Sequence, residues 1–128
     1  MPLKKVFIKY VNIVGMRHHS DDSELPVNTP FVLKLEPDNQ YDSRAVRVVN
    51  RSDNKTMAYL SRASRSLIAP LLEYHVVSGN LFLNPKMPAK VHYNKITQKC
   101  ALGFYAQEQY IERIMDMYKN TGLSVTVS

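Results

Sequence analysis

The chain has 128 residues and a mass of 14.7 kDa, with 45% hydrophobic residues and 17 Lys and Arg against 11 Asp and Glu, a net charge of +6. That length predicts a single domain over residues 1–128 that needs neither disulfides nor a structural metal to hold a core. The lone cysteine, Cys100, excludes an intrachain disulfide and a cysteine-rich zinc site, and no apolar run approaches the ~20 residues of a membrane span.

The N-terminus, Met1-Pro2-Leu3-Lys4-Lys5, opens no long apolar segment of the kind a signal peptide carries, so neither secretion nor membrane insertion is expected. Residues 6–14 (VFIKYVNIV) predict a strand that stops at Gly15. Residues 21–30 have the acids, prolines and small polar residues of a loop. Phe31 to Leu35 alternates as a strand and runs into a turn at Glu36-Pro37-Asp38-Asn39. Ala45 to Val49 is a further strand, and Thr56 to Leu60 its hairpin partner across the polar turn 52–55.

From Ser61 the period changes. Leu67, Ile68, Leu71, Leu72 and His75 fall at helical spacing behind an N-cap at Ser61 or Ser64, with Gly79 where a C-terminal stop belongs. Pro70 opposes an unbroken helix, leaving a kinked helix or a start near Ala69 as the two readings. Short strands follow at 81–83, 89–93 and 99–105. A last helix over 107–120 places Tyr110, Ile111, Ile114, Met115 and Tyr118 on one face ahead of Gly122. Strands that outnumber two helices predict a small β-barrel with the helices packed outside it.

Positive charge is shared evenly, ten basic and seven acidic residues in 1–64 against seven and four in 65–128, or +3 in each half. The densest unopposed run is Lys86, Lys90, Lys95 and Lys99, which suits a phosphate-facing strand pair as well as a solvated hairpin. Enzyme signatures are absent: no phosphate-cradling glycine loop, no GxSxG, no HExxH. Cys100 with His92 makes a nominal nucleophile and base, but a cysteine in a strand is usually a small core residue. His18-His19 beside Asp21-Asp22 would need an irregular backbone to share a metal.

Three turns combine a ring with a charge at the end of an element: Gly15 to His19, Glu36 to Val46, and Ala58 to Arg62. For Tyr41 the residue pattern fits a core plug and a contact ring equally. The series IVGMRHH, EPDNQYDSRAVRV and AYLSRASRSLIAPLLE resembles the HIRAN domain, over about residues 11–123.

That resemblance implies a mainly β, OB-like barrel of about six strands with two flanking α-helices, which binds the 3′-hydroxyl end of single-stranded DNA without catalysis, cofactor or metal. It implies Arg17 and His18 on the ring-bearing turn after the first strand, Tyr41 and Asp42 as the terminal-hydroxyl clamp, and Arg62 as the basic residue entering the helix, with Asn39, Tyr59, Tyr93 and Lys95 as further DNA contacts. One member of the family has a tyrosine where His18 stands and a histidine where Tyr59 stands. A family phenylalanine falls near Ile96, which cannot stack, leaving Tyr93 as that hairpin's ring.

Chemistry suits the assignment. An ionised Asp42 has only acceptors and can take a hydroxyl hydrogen, Tyr41 offers a face to any base, and Arg17 and Arg62 can fork onto phosphates. A monomer is expected, nuclear if eukaryotic and otherwise cytoplasmic, in a role in DNA repair or damage tolerance. The resemblance also implies partner proteins or, in relatives, a fused ATPase, and the fork remodelling of the family's large members is not expected to carry over. Two other readings stand: a protein-interaction module using the Tyr110/Ile114/Tyr118 face or the acidic loop at Asp21-Asp22, and a magnesium nuclease built on Glu36, Asp38 and Asp42.

Overall fold

A computed structural model describes residues 2–16 and 24–128. Alternating apolar residues build eight strands: β1 (Leu3–Val14), β2 (Phe31–Leu35), β3 (Val46–Val49), β4 (Thr56–Leu60), β5 (Ser78–Pro85), β6 (Lys90–His92), β7 (Lys95–Gln107) and β8 (Ser124–Val127). The helices are α1 (Arg62–Glu73) and α2 (Ile111–Tyr118), the latter entered through a 3-10 turn at Glu108–Tyr110. All strand pairs are antiparallel. The order β7-β5-β2-β3-β4-β1 closes on itself through β1–β7, giving a six-stranded barrel. β6 folds back on β7 and β8 pairs with β1 as additions to it.

Every second residue of the barrel strands points inward: Val6 and Ile8, Leu81 and Leu83, Leu102 and Phe104 are buried. β1 and β7 are the long staves, twelve and thirteen residues paired almost end to end with one register shift between Lys9 and Val11. β1 is long because the edge opposite β7 serves two partners in turn, β8 at Val6 to Lys9 and β4 at Ile13 and Val14. α1 adds Ile68, Ala69 and Leu71 to the same core.

Several elements differ from the sequence expectation for identifiable reasons. α1 starts at Arg62 with Ser61 as N-cap, its Oγ accepting from the Ser64 amide at 3.3 Å, so the reading that began near Ala69 is overturned and Pro70 lies inside the helix. The carbonyl that Pro70 deprives of a donor belongs to exposed Ser66, one turn earlier on the solvent side. The helix stops at Tyr74, and His75 takes the left-handed conformation expected of Gly79 (φ 55°); Gly79 instead sits in β5. The last helix is shorter than 107–120, and β8 escapes the sequence pattern because four residues near a terminus carry little periodicity.

Two polar devices fasten the irregular segments. The Asn12 amide donates to Ser64 Oγ (2.9 Å) and the Ser61 amide to Asn12 O (2.8 Å), which stitches the start of α1 to β1. Gln98, 1% exposed, accepts from the Leu25 amide and donates to the carbonyls of Leu25 and Met87, so a polar side chain in the core is fully paired and pins two loops to β7.

A candidate nucleic-acid interface

The turn from Glu36 to Ala45 is held by its own side chains. The Glu36 amide donates to Ala45 O (2.9 Å) and closes its base. Asn39 Oδ1 accepts from the amides of Tyr41 (2.9 Å) and Asp42 (3.0 Å), and Asp42 Oδ1 accepts from the Arg44 amide (2.9 Å). These are the short side-chain-to-backbone bonds that Asn and Asp favour in turns. Asn39 Nδ2 in turn donates to Glu36 Oε1 at 2.7 Å.

Glu36 is the hub beneath the turn. Tyr59 Oη lies 3.0 Å from both Glu36 oxygens, and Arg47 Nε is 3.9 Å from Oε2. Burial, then the carboxylate it donates to, raises the Tyr59 phenol above its ordinary range, so the ring stays a neutral donor. Two ion pairs tie the turn to α1, Arg65 Nε to Asp42 Oδ2 at 2.6 Å and Arg44 Nη2 to Glu73 Oε1 at 2.8 Å.

On the outside of this scaffold, Asn39, Tyr41, Asp42, Tyr59, Arg62 and Arg65 line a cleft of about 520 Å³. Tyr41 is 94% exposed, which settles its role against a core plug. Arg62 is exposed and makes no side-chain bond among the described residues, in contrast to Arg65. The amino end of α1 faces the same cleft, and its unpaired amides and partial positive charge favour an anion. Asp42, partly buried, uses one oxygen on a backbone amide and the other on Arg65, and a carboxylate retains further lone pairs beyond those two. The cleft thus gathers an exposed ring, a free guanidinium and an oriented acceptor.

Five of the sequence-derived residues meet here: Asn39, Tyr41, Asp42, Tyr59 and Arg62. Arg17 and His18 lie outside the described residues, as do His19, Asp21 and Asp22. Lys95 borders a different groove, of about 420 Å³, with Val14, Gly15 and Met16. Tyr93, 88% exposed, occupies the tip of the β6–β7 hairpin with its edge against His92. Arg65 and the hub role of Glu36 were missed. Arg65 was legible, since it follows Arg62 by three and shares its helix face once the helix is started at Ser61.

Other expectations fail on geometry. Ile114 and Tyr118 are buried in the common core, with Tyr110 packed against it and Tyr118 Oη donating to Leu67 O of α1 at 2.9 Å, so that face of α2 offers no docking surface. The magnesium site lacks its ligand set: Glu36 turns to Tyr59 and Arg47 while Asp42 turns to Arg65, and no group of three potential metal ligands occurs among the described residues. Cys100, by contrast, is buried as expected of a small core residue, which pushes its thiol up to about 12, so it holds almost no nucleophilic thiolate at neutral pH.

The fold and cleft define a small closed barrel that carries its polar site on turns at one end. The HIRAN domain model matches residues 7–99, and the chain belongs to that family. It is similar in structure to the crystal structure of the HIRAN domain of human HLTF, with a TM-score of 0.69 and 18% identity over 92% of this chain and 93% of that one. It is also similar to the HLTF HIRAN domain in its DNA-bound conformation, determined by NMR (TM-score 0.64, 19% identity, 90% and 88% covered). A Lactobacillus plantarum protein matches as well, with a TM-score of 0.58 and 20% identity over 83% of this chain and all of that one. No curated protein matches the sequence.

Proposed function

We propose that the protein is a non-catalytic DNA-binding module whose cleft takes the 3′-hydroxyl end of a single strand. The observation that carries this reading is Tyr41, 94% exposed on a turn whose backbone is fixed on both sides of it, beside Asp42 and the free Arg62. A large ring presented to water on a preorganised turn gains by stacking on a base, worth ~1–3 kcal/mol and indifferent to sequence. An unpaired strand offers such faces at every base. Membership of the HIRAN family, and the DNA-bound conformation known for a similar domain, support the same partner.

In this reading Tyr41 stacks on the terminal base, Tyr59 and Asn39 border the sugar, Arg62 and the amino end of α1 hold a phosphate, and Asp42 accepts from the 3′-OH. Arg65 aims the carboxylate and offsets its charge. The family resemblance adds Arg17, His18 and Lys95 to the residues that meet the same strand.

The test is the ratio of affinities for 3′-hydroxyl and 3′-phosphate oligonucleotides, measured by fluorescence anisotropy. Wild type prefers the hydroxyl end, and Asp42→Ala brings the ratio to about one while general binding to single strands persists. Because loosening the turn weakens both oligonucleotides alike, an unchanged ratio with equal losses sinks the clamp.

A further inference from the structure

None of the eight strands contains Asp or Glu. The strands do carry Lys4, Lys5, Lys9, Lys34, Arg47, Lys90, Lys95 and Lys99. On the outer face of β1, β7 and β5 these cations meet aromatic rings. Phe7, Gly103 and Phe82 are register partners in one row across the three strands, and Tyr105 stands opposite Lys5 in the neighbouring row. Their strand neighbours Val6, Ile8, Leu102, Phe104, Leu81 and Leu83 fill the barrel, so the three rings belong to the outside.

The cations sit on these rings. Lys5 Nζ lies 5.1 Å from the centre of Phe7 and 5.8 Å from that of Tyr105, and Arg51 Cζ lies 5.2 Å from the centre of Phe82. Lys9, opposite Ala101, and Lys99, opposite Asn12, are exposed along the same two strands. Gly103 leaves the middle of the row low, with Phe7 leaning to 3.6 Å from the place a Cβ would occupy.

We propose that this face is a second surface for single-stranded DNA, one that needs no free end. Rings on the outer face of a sheet accept unstacked bases once the cations that lie over them shift onto the phosphates between the bases. Charge decides the occupant. A second copy packed two-fold on this face would set Lys5, Lys9 and Lys99 against themselves with no carboxylate on the strands to relieve them, whereas a polyanion meets only opposite charge. The surface lies on the β1–β7–β5 wall, while the end-binding cleft is lined by the β2–β3 turn, the end of β4 and the start of α1, so the two surfaces share no lining residue and are separable by substitution.

A covalently closed single-stranded DNA circle separates them experimentally, since it has no end for the cleft. The circle is expected to bind at low salt. Phe82→Leu and Tyr105→Leu, which keep the apolar bulk and remove the ring, each weaken it by about tenfold, in line with the removal of one stacked base. Lys9→Glu with Lys99→Glu, both at exposed positions, lowers the salt slope by ~0.7 for each phosphate no longer neutralised. Arg62→Ala leaves circle binding intact while weakening linear 3′-hydroxyl strands. The proposal is overturned if the circle does not bind, if its binding depends on Arg62 and not on Lys9 and Lys99, or if sedimentation shows self-association that Phe82→Leu abolishes.

Discussion

Two tyrosines stand almost fully in water, Tyr41 on the β2–β3 turn and Tyr93 at the tip of the β6–β7 hairpin, 94% and 88% exposed. Their supports differ. Around Tyr41, Asn39 fixes two successive amides, Asp42 fixes a third, Glu36 anchors Asn39, and two ion pairs run to α1. Tyr93 and Asn94 form a two-residue turn with both φ values positive (49° and 66°), and the hairpin strand before it, β6, is only three residues long and exposed throughout. Equal exposure therefore hides a difference in how firmly the two rings are held. A ring already held in its bound position loses little freedom when a base arrives, and that saving appears as affinity.

The largest expected effect breaks the comparison at its centre. Tyr41→Ala should cost ~1–3 kcal/mol of affinity for a short single strand, the range of one missing stack, and Tyr93→Ala clearly less. Titrating both variants against one 3′-hydroxyl oligonucleotide by anisotropy decides it, and equal losses would mean that the wiring of the turn is irrelevant. Next comes the wiring itself. Asn39→Ala leaves the Tyr41 and Asp42 amides without their acceptor and should destabilise the fold by ~0.5–2 kcal/mol, as removal of a comparable capping side chain does. Affinity should fall further than stability predicts, because the ring stays present but loses its orientation. Denaturant melts alongside binding curves separate the two.

Much of this was readable from residue order, and the unreadable part has physical causes. Strand alternation located β2, β3 and β4 and the turn between them, because short polar turns between β-branched runs are a local signal. The union of the Tyr41 turn with α1 was not local. Asp42 meets Arg65 and Arg44 meets Glu73 only because β3 and β4 return the chain to the start of the helix. Pro70 hid the start of α1, and with it the face that pairs Arg62 with Arg65. The face of Tyr110, Ile114 and Tyr118 showed that α2 is amphipathic but could not say what it packs on; it closes on the common core, with Tyr118 bonded to the Leu67 carbonyl of α1. Gln98 illustrates the same limit, since a polar residue in a strand reads as exposed until the loops that satisfy it are in place.

The smallest effect tests the other half of the comparison. A left-handed conformation brings a side chain's Cβ close to the following carbonyl and costs ~1–2 kcal/mol for most residues, less for Asn and least for Gly. Tyr93 bears that cost at φ 49° while its ring makes one edge contact with His92. Two-residue hairpins with both residues left-handed favour Asn at the first position, so Tyr93→Asn should raise stability by up to about 1 kcal/mol with the β6–β7 pairing unchanged. Thermal melts and the amide exchange of residues 90–97 measure this directly. A stabilised hairpin with unaltered affinity for single strands makes Tyr93 a tolerated turn residue. A stabilised hairpin that binds more weakly shows instead that backbone strain is kept there for the sake of the ring, and the contrast with Tyr41 then becomes one of support rather than of role.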